Sequence, residues 1–260
     1  MVDLRHILGA VIAVSGCTST LPKSTSTTAV PKADTALHIH QSAFHLDGML
    51  LSDTLQASLD QWVQEHTSEF NGKLLIRVDG SEPITFLREA VATAKDVGFH
   101  TAWLVVMGPS GDEQAIQLSL QPPKQDTQTA RASESAPTVK THWANPRLII
   151  SSENGLILSA FDNVYEHPAH SAQPLVLPCG PTGYEPCTAE TFPFLEATRL
   201  ARRLKLDHPG DRAFVIQTTP DVQVQSFVSG LDAMRDDANS GRRRMEMFPE
   251  PIFDYTDPKP

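Results

Sequence analysis

Two stretches decide the fold: residues 74–94, LLIRVDGSEPITFLREAVATA, and residues 214–234, FVIQTTPDVQVQSFVSGLDAM. Each opens on an apolar triplet, Leu74-Leu75-Ile76 or Phe214-Val215-Ile216, and passes through a polar turn. One apolar residue per turn then follows: Ile84, Leu87, Val91 and Ala94 in the first, Val224, Phe227, Leu231 and Met234 in the second. The shared spacing of 3, 4 and 3 is that of a helix burying one stripe against a sheet. Both sets match at a constant offset of 140 residues without a gap. Self-similarity of this kind sets architecture before any single element is assigned, and here it predicts strand, turn and helix built twice.

Further elements fall around each copy. Upstream lies a strand and a turn dipeptide that tolerates positive φ, Asp47-Gly48 in the first part and Asn154-Gly155 in the second, now at an offset of 107. The shortfall against 140 implies a 33-residue insertion in the second part, near 158–190. A further helix is predicted from Ser52 to His66, with Ser52 or Asp53 as its cap and Leu55, Leu59, Trp62 and Val63 on its apolar face. Phe192 to Leu206 is its counterpart. Ala102 to Met107 supplies a last strand after the helix stop at Gly98. In the second part Arg242 to Met247 (RRRMEM) takes that place, polar enough for an edge strand. The expected fold is therefore α+β, two repeated small domains at 37–120 and 142–253, each a mixed sheet with two helices packed on one face. Residues 121–141, rich in Gln, Ser, Thr and Pro, read as the linker, and residues 254–260 as an extended tail.

The first 17 residues are of another kind. A charged start with Arg5, the apolar run Ile7 to Val14, and Val14-Ser15-Gly16-Cys17 resemble the export signal and lipobox of bacterial lipoproteins. The run is about half the length that crosses a bilayer, so it does not read as a permanent span. The resemblance implies lipid attachment at Cys17 and a mature protein in the cell envelope, facing the periplasm. Thr18 stands where an aspartate retains some lipoproteins at the inner membrane, which points to the outer one. Residues 18–36 hold almost nothing to bury and read as a flexible tether.

With Cys17 set aside, Cys179 and Cys187 remain as a pair in CGPTGYEPC, whose glycines and prolines favour a tight turn. In an oxidising compartment the simplest reading is a local disulfide. The formal net charge of -10 opposes nucleic acid as a partner, because the phosphate interaction would be repulsive.

The unit of hairpin, helix, strand, polar turn, helix and strand resembles the periplasmic domain of the ExbD/TolR family of biopolymer transport proteins. Pro220-Asp221-Val222-Gln223-Val224-Gln225-Ser226-Phe227-Val228 is similar to the turn and helix start of that family, and Glu82-Pro83-Ile84-Thr85-Phe86-Leu87 is its weaker counterpart. In that family the domain follows a transmembrane helix bearing an aspartate for proton coupling, and no such helix is read here. The resemblance thus implies a module that pairs with like modules, envelope proteins or peptidoglycan, held to the membrane by its lipid and without proton coupling of its own.

Signals for chemistry are sparse. His38 and His40 fall on one strand face with His45 nearby, and His167 and His170 flank Glu166 in the inserted loop, yet no third zinc ligand has a recognisable spacing. No nucleophile elbow and no phosphate loop occurs. No cofactor or metal is therefore expected. The basic groups Arg199, Arg202, Arg203 and Lys205, and Arg242, Arg243 and Arg244, are candidate contacts for an acidic partner. The competing reading is an envelope hydrolase or metal-dependent enzyme that uses the histidines of the inserted loop.

Overall fold

A computed structural model describes residues 20–25, 27–120, 146–159, 174–180, 187–237, 245–256 and 258. The chain runs β1 (Thr28–Ala29), β2 (Thr35–His40), β3 (Ala43–Leu46), β4 (Met49–Leu50), α1 (Leu55–Glu65), β5 (Lys73–Val78), α2 (Ile84–Val97), β6 (Thr101–Met107) and β7 (Glu113–Ser119). It continues through β8 (Arg147–Ser151), β9 (Gly155–Ser159), β10 (Leu175–Leu177), α3 (Phe194–Asp207), β11 (Ala213–Thr218), α4 (Val224–Arg235), β12 (Asp236–Asp237), β13 (Met245–Glu246) and β14 (Glu250–Phe253). The fold is α+β, a mixed sheet with four helices among the described residues.

Strands of both parts belong to one twelve-stranded sheet in the order β10-β9-β8-β11-β14-β7-β6-β5-β2-β3-β4, with β1 on β7; β12 and β13 form a separate ribbon. Alternation along the strands sends Leu74, Ile76 and Val78, Leu104 and Val106, Leu148 and Ile150, and Phe214 and Ile216 to the face that the helices cover. There they meet the predicted stripes: Ile84, Leu87, Val91 and Ala94 on α2, and Val224, Phe227, Leu231 and Met234 on α4, are all fully buried. α2 stops as its sequence demands, with Gly98 in the left-handed conformation at φ 108°. α1 begins later than expected, because Thr54, not Ser52 or Asp53, caps it by accepting from the Ala57 N–H.

Three sequence expectations need correction. Asp47-Gly48 turns β3 into β4, whereas Asn154-Gly155 turns β8 into β9, so the two dipeptides do not occupy corresponding turns. In the ladders Leu37 faces Ile76 and Leu148 faces Ile216, an offset of 111 for these strands and not 107. The paired strands are correspondingly 29 residues further apart in sequence in the second part. The strand that follows α4 in the sheet is also different: it is β14, just after Phe248-Pro249, while among the described residues of RRRMEM Met245–Glu246 form a strand paired with Asp236–Asp237, outside the main sheet. A central strand must be buried on both edges, and arginines do not suit that place; Pro251 and Phe253 do. Finally, part of the stretch read as a tether packs on the fold, as described below.

Pro251 explains how the two parts of the sheet meet. Glu250 N–H donates to Arg212 and Asp254 N–H to Ile216, so in parallel pairing the even-numbered residues of β14 address β11 and the missing N–H of Pro251 faces β7. On that side the ladder shrinks to the single register Ile252 with Ser119, and a cleft of about 290 Å³ opens beside it. The helices supply what the ladder lacks. Ile84 N–H donates to Val222 O at 2.8 Å and Val224 N–H to Glu82 O at 3.0 Å. These four residues are the two pairs that the offset of 140 equates, so the contact is reciprocal, as across a two-fold axis.

Candidate binding groove

Residues 20–25 form a strap at the end of the first part where β5, β2 and β6 deliver their carboxyl ends. β5 finishes at Val78 while β6 runs on to Met107, which leaves main-chain groups of β6 without a neighbour. The strap fills that gap: Met107 N–H donates to Pro22 O at 2.8 Å and Ser24 N–H to Met107 O at 3.0 Å. One step back, Gly80 N–H donates to Thr20 O at 2.9 Å. A Cβ on Gly80 would come within 3.3 Å of Pro22 Cα, so the close approach favours glycine there.

From the other side α4 presents Gln225, Ser229 and Asp232, spaced four and three residues apart and therefore on one helix face. The Gln225 amide clamps the strap, its Oε1 accepting from Lys23 N–H at 2.8 Å and its Nε2 donating to Lys23 O at 3.1 Å. The Asp232 carboxylate accepts from Ser24 Oγ at 2.6 Å and from Thr25 N–H at 2.7 Å. Beside this seam lies a groove of about 710 Å³. Its walls are the strap, the β6–β7 turn around Pro109, α4, and the start of α3, where Leu195 is 52% exposed. Fixed polar groups on one wall and apolar side chains on the other suit an extended, mixed-polarity occupant. Among the described residues that line it, no group of three or more His, Cys, Asp or Glu side chains is placed to hold a metal ion.

Other polar clusters stand near the same end of the sheet or on the face opposite the helices. His40 Nδ1 lies 2.5 Å from Asp79 Oδ2, and the buried Glu82 accepts from Ser42 N–H at 3.3 Å. Arg77 grips Glu113 with two hydrogen bonds of 2.5 and 2.6 Å, which holds the Glu113 carboxyl below its ordinary pKa. His38 and His45 face each other across β2 and β3. Burial, and then the charge of Arg77, push the His38 pKa down. Hydrogen bonds from Ser152 and Thr219 lower that of Asp221, against the upward push of burial.

Cys179 and Cys187 are joined in a disulfide, with Cα atoms 5.3 Å apart. It stands in the long connection between β9 and α3, beside β10, which adds an outer strand to β9. Arg199, Arg202 and Arg203 are exposed on α3; Arg199 pairs with Glu196 at 3.1 Å, while Arg202 and Arg203 have partners of their own. Lys205 instead turns inward, donating to Asp211 O and lying over the Phe248 ring at 5.5 Å. Cys17, the lipid-attachment site expected from the sequence, the basic residues Arg242, Arg243 and Arg244, and Glu166, His167 and His170 lie outside the described residues. Among the described residues no group of three or more His, Cys, Asp or Glu side chains is placed to hold a metal ion, and no helix is long and apolar enough to cross a membrane.

Sequence reasoning did not find the strap or its clamp. The signal was present as a second, polar stripe on α4, since Gln225, Ser229 and Asp232 repeat at helical spacing beside the apolar one. Comparison with protein-family models, with curated proteins and with solved structures finds no match for this chain.

Proposed function

We propose that the chain is a lipid-anchored protein of the cell envelope, acting as a non-enzymatic scaffold or binding module of an ExbD/TolR-type biopolymer transport or envelope machine. In this reading its two parts are repeats of one ExbD/TolR-like module, fused in tandem so that a single chain presents a preformed pair. The observation that carries the reading is the reciprocal main-chain contact between Glu82-Pro83-Ile84 and Val222-Gln223-Val224. Equivalent residues bonding to each other is what an isologous dimer contact looks like when both copies share a chain. The groove supports binding over catalysis, because its walls offer amide, hydroxyl and carboxylate groups already committed to holding the strap.

The lipid on Cys17 stands in for the transmembrane helix of the resembled family and keeps the module at the membrane without proton coupling. Mass spectrometry of the mature protein should find the N-terminal cysteine acylated, and detergent-extracted protein should copurify with channel-type membrane proteins or sediment with peptidoglycan. A Cys17→Ser protein that stays membrane-bound and unacylated, or a wild-type protein that associates with neither class of partner, would remove the proposal.

A further inference from the structure

The strap changes what an anchor at Cys17 would do. A flexible tether over residues 18–36 would let the body wander about 25 Å from the bilayer, by the square-root law for a chain of that length. Docking begins at Thr20, however, where the carbonyl is bonded to Gly80 N–H, and continues through Pro22, Lys23, Ser24 and Thr25. Only three residue steps separate Cys17 from Thr20, and three steps of extended chain span at most about 10 Å. We infer that the end of the molecule bearing Gly80, the strap and the groove is held flush against the headgroup layer of the bilayer that carries the anchor. This inference rests on the lipid-anchor reading and goes beyond it by assigning an orientation and a contact surface.

The composition of that end fits headgroups. Ser81, Pro83 and Gln223 are exposed around the contact of α2 with α4, and Pro109, Ser110 and Gly111 are exposed at the β6–β7 turn. With the exposed Lys23, Asp112 and Asp221 beside them, these groups make a polar surface of mixed charge that suits zwitterionic headgroups. Among the described residues at the groove, Leu195 is a large apolar side chain more than half exposed. In this orientation the groove, which has the strap as one wall, lies at the membrane side, where a segment emerging from the bilayer would reach it first.

The test uses the acylated full-length mature protein in phosphatidylcholine vesicles whose headgroups carry a quencher. A fluorophore is attached through a non-natural amino acid at Ser81 or, in a second protein, at Lys73, at the opposite end of β5, whose five residue steps span about 17 Å. Severalfold stronger quenching at Ser81 than at Lys73 is expected. A Gly/Ser insertion of roughly ten residues between Ser19 and Thr20, which leaves the docked strap intact, should collapse the difference by restoring a loose tether. Equal quenching at the two positions in protein shown by mass spectrometry to be acylated would overturn the orientation alone. Protein with no lipid on Cys17 would overturn the anchor reading and the orientation with it.

Discussion

The two parts of the sheet use the same order of elements but close differently. In the first, β6 is followed by β7, and the pair is locked by seven registers from Thr101–Ser119 to Met107–Glu113. In the second, β14 is the last strand, and its outer edge rests on β7 of the first part through one register. The first part thus completes its own sheet, while the second borrows an edge. The terminal segments repair the weak seam in opposite directions. The strap leaves the first part to be clamped by α4, and the tail beyond β14 crosses to α2, where Arg88 donates to Tyr255 O at 2.7 Å and Lys95 to the Tyr255 hydroxyl at 3.0 Å. The two parts are joined by crossed braces more than by β-pairing.

The comparison can be broken most severely through the helix positions that the offset equates. Phe227→Ala should cost about 3–5 kcal/mol and Leu87→Ala about 2–5 kcal/mol in urea unfolding. Phe227 is expected to be the worse of the two, because its ring also packs on Phe253 of β14 at 4.6 Å and so supports the seam. Equal losses would mean that the seam gains nothing from α4. Next in size is the disulfide. Replacing Cys179 and Cys187 by serine should cost about 2 kcal/mol for a loop this short, and hydrogen exchange should quicken in β9 and β10 while β5 and β6 keep their protection. A uniform loss would contradict a local role for the disulfide.

The braces come third. Asp232→Ala removes the acceptor of two strap hydrogen bonds, which predicts a loss of about 1–3 kcal/mol and rapid proteolysis within residues 20–25. Unchanged proteolysis would show that the ladder with Met107 holds the strap unaided. The smallest effect concerns pH in the first part. His38 titrates below its ordinary 6.5 because protonation in the folded state is disfavoured, so stability should begin to fall as pH drops below that value. Glu113 is held ionised by Arg77; its contribution is present above the ordinary carboxylate pKa and disappears as pH falls through the lowered one. Both groups are partly exposed, so each should be worth less than about 1 kcal/mol. His38→Gln should remove only the decline that starts nearer neutrality, as read from thermal unfolding between pH 5 and 7.

Helices and parallel strands were legible because their apolar periodicity is a local property: the stripes of α2 and α4 are buried where the spacing placed them. The cysteine pair was legible for the same reason, being close in sequence. What escaped depends on neighbours that periodicity does not encode. The place of β14 is decided by an open edge on β7 and by a proline that can tolerate it, and the strap is held by a helix some 200 residues away, Lys23 against Gln225 with a separation of 202. Turn dipeptides misled because Asp47-Gly48 and Asn154-Gly155 share a conformational permission, not a position: Gln41 and Ser42, at φ 49° and 59°, make the turn that corresponds to β8–β9. The candidate site was least legible of all, since the residues that build it, Thr20 to Thr25, Met107, Gln225 and Asp232, carry no motif and meet only in the folded chain.

Amide hydrogen exchange at Ile84 and Val224, in the native protein, measures the central contact most directly. Each N–H donates across the join between the two parts, to Val222 and Glu82 respectively. If the parts are locked as one reciprocal pair, both amides exchange slowly, with the same opening free energy, and both are released together. Fast exchange at these two positions while Ile76 and Ile216 in the strands stay protected would mean that the parts are merely adjacent, and the paired-module account would fail.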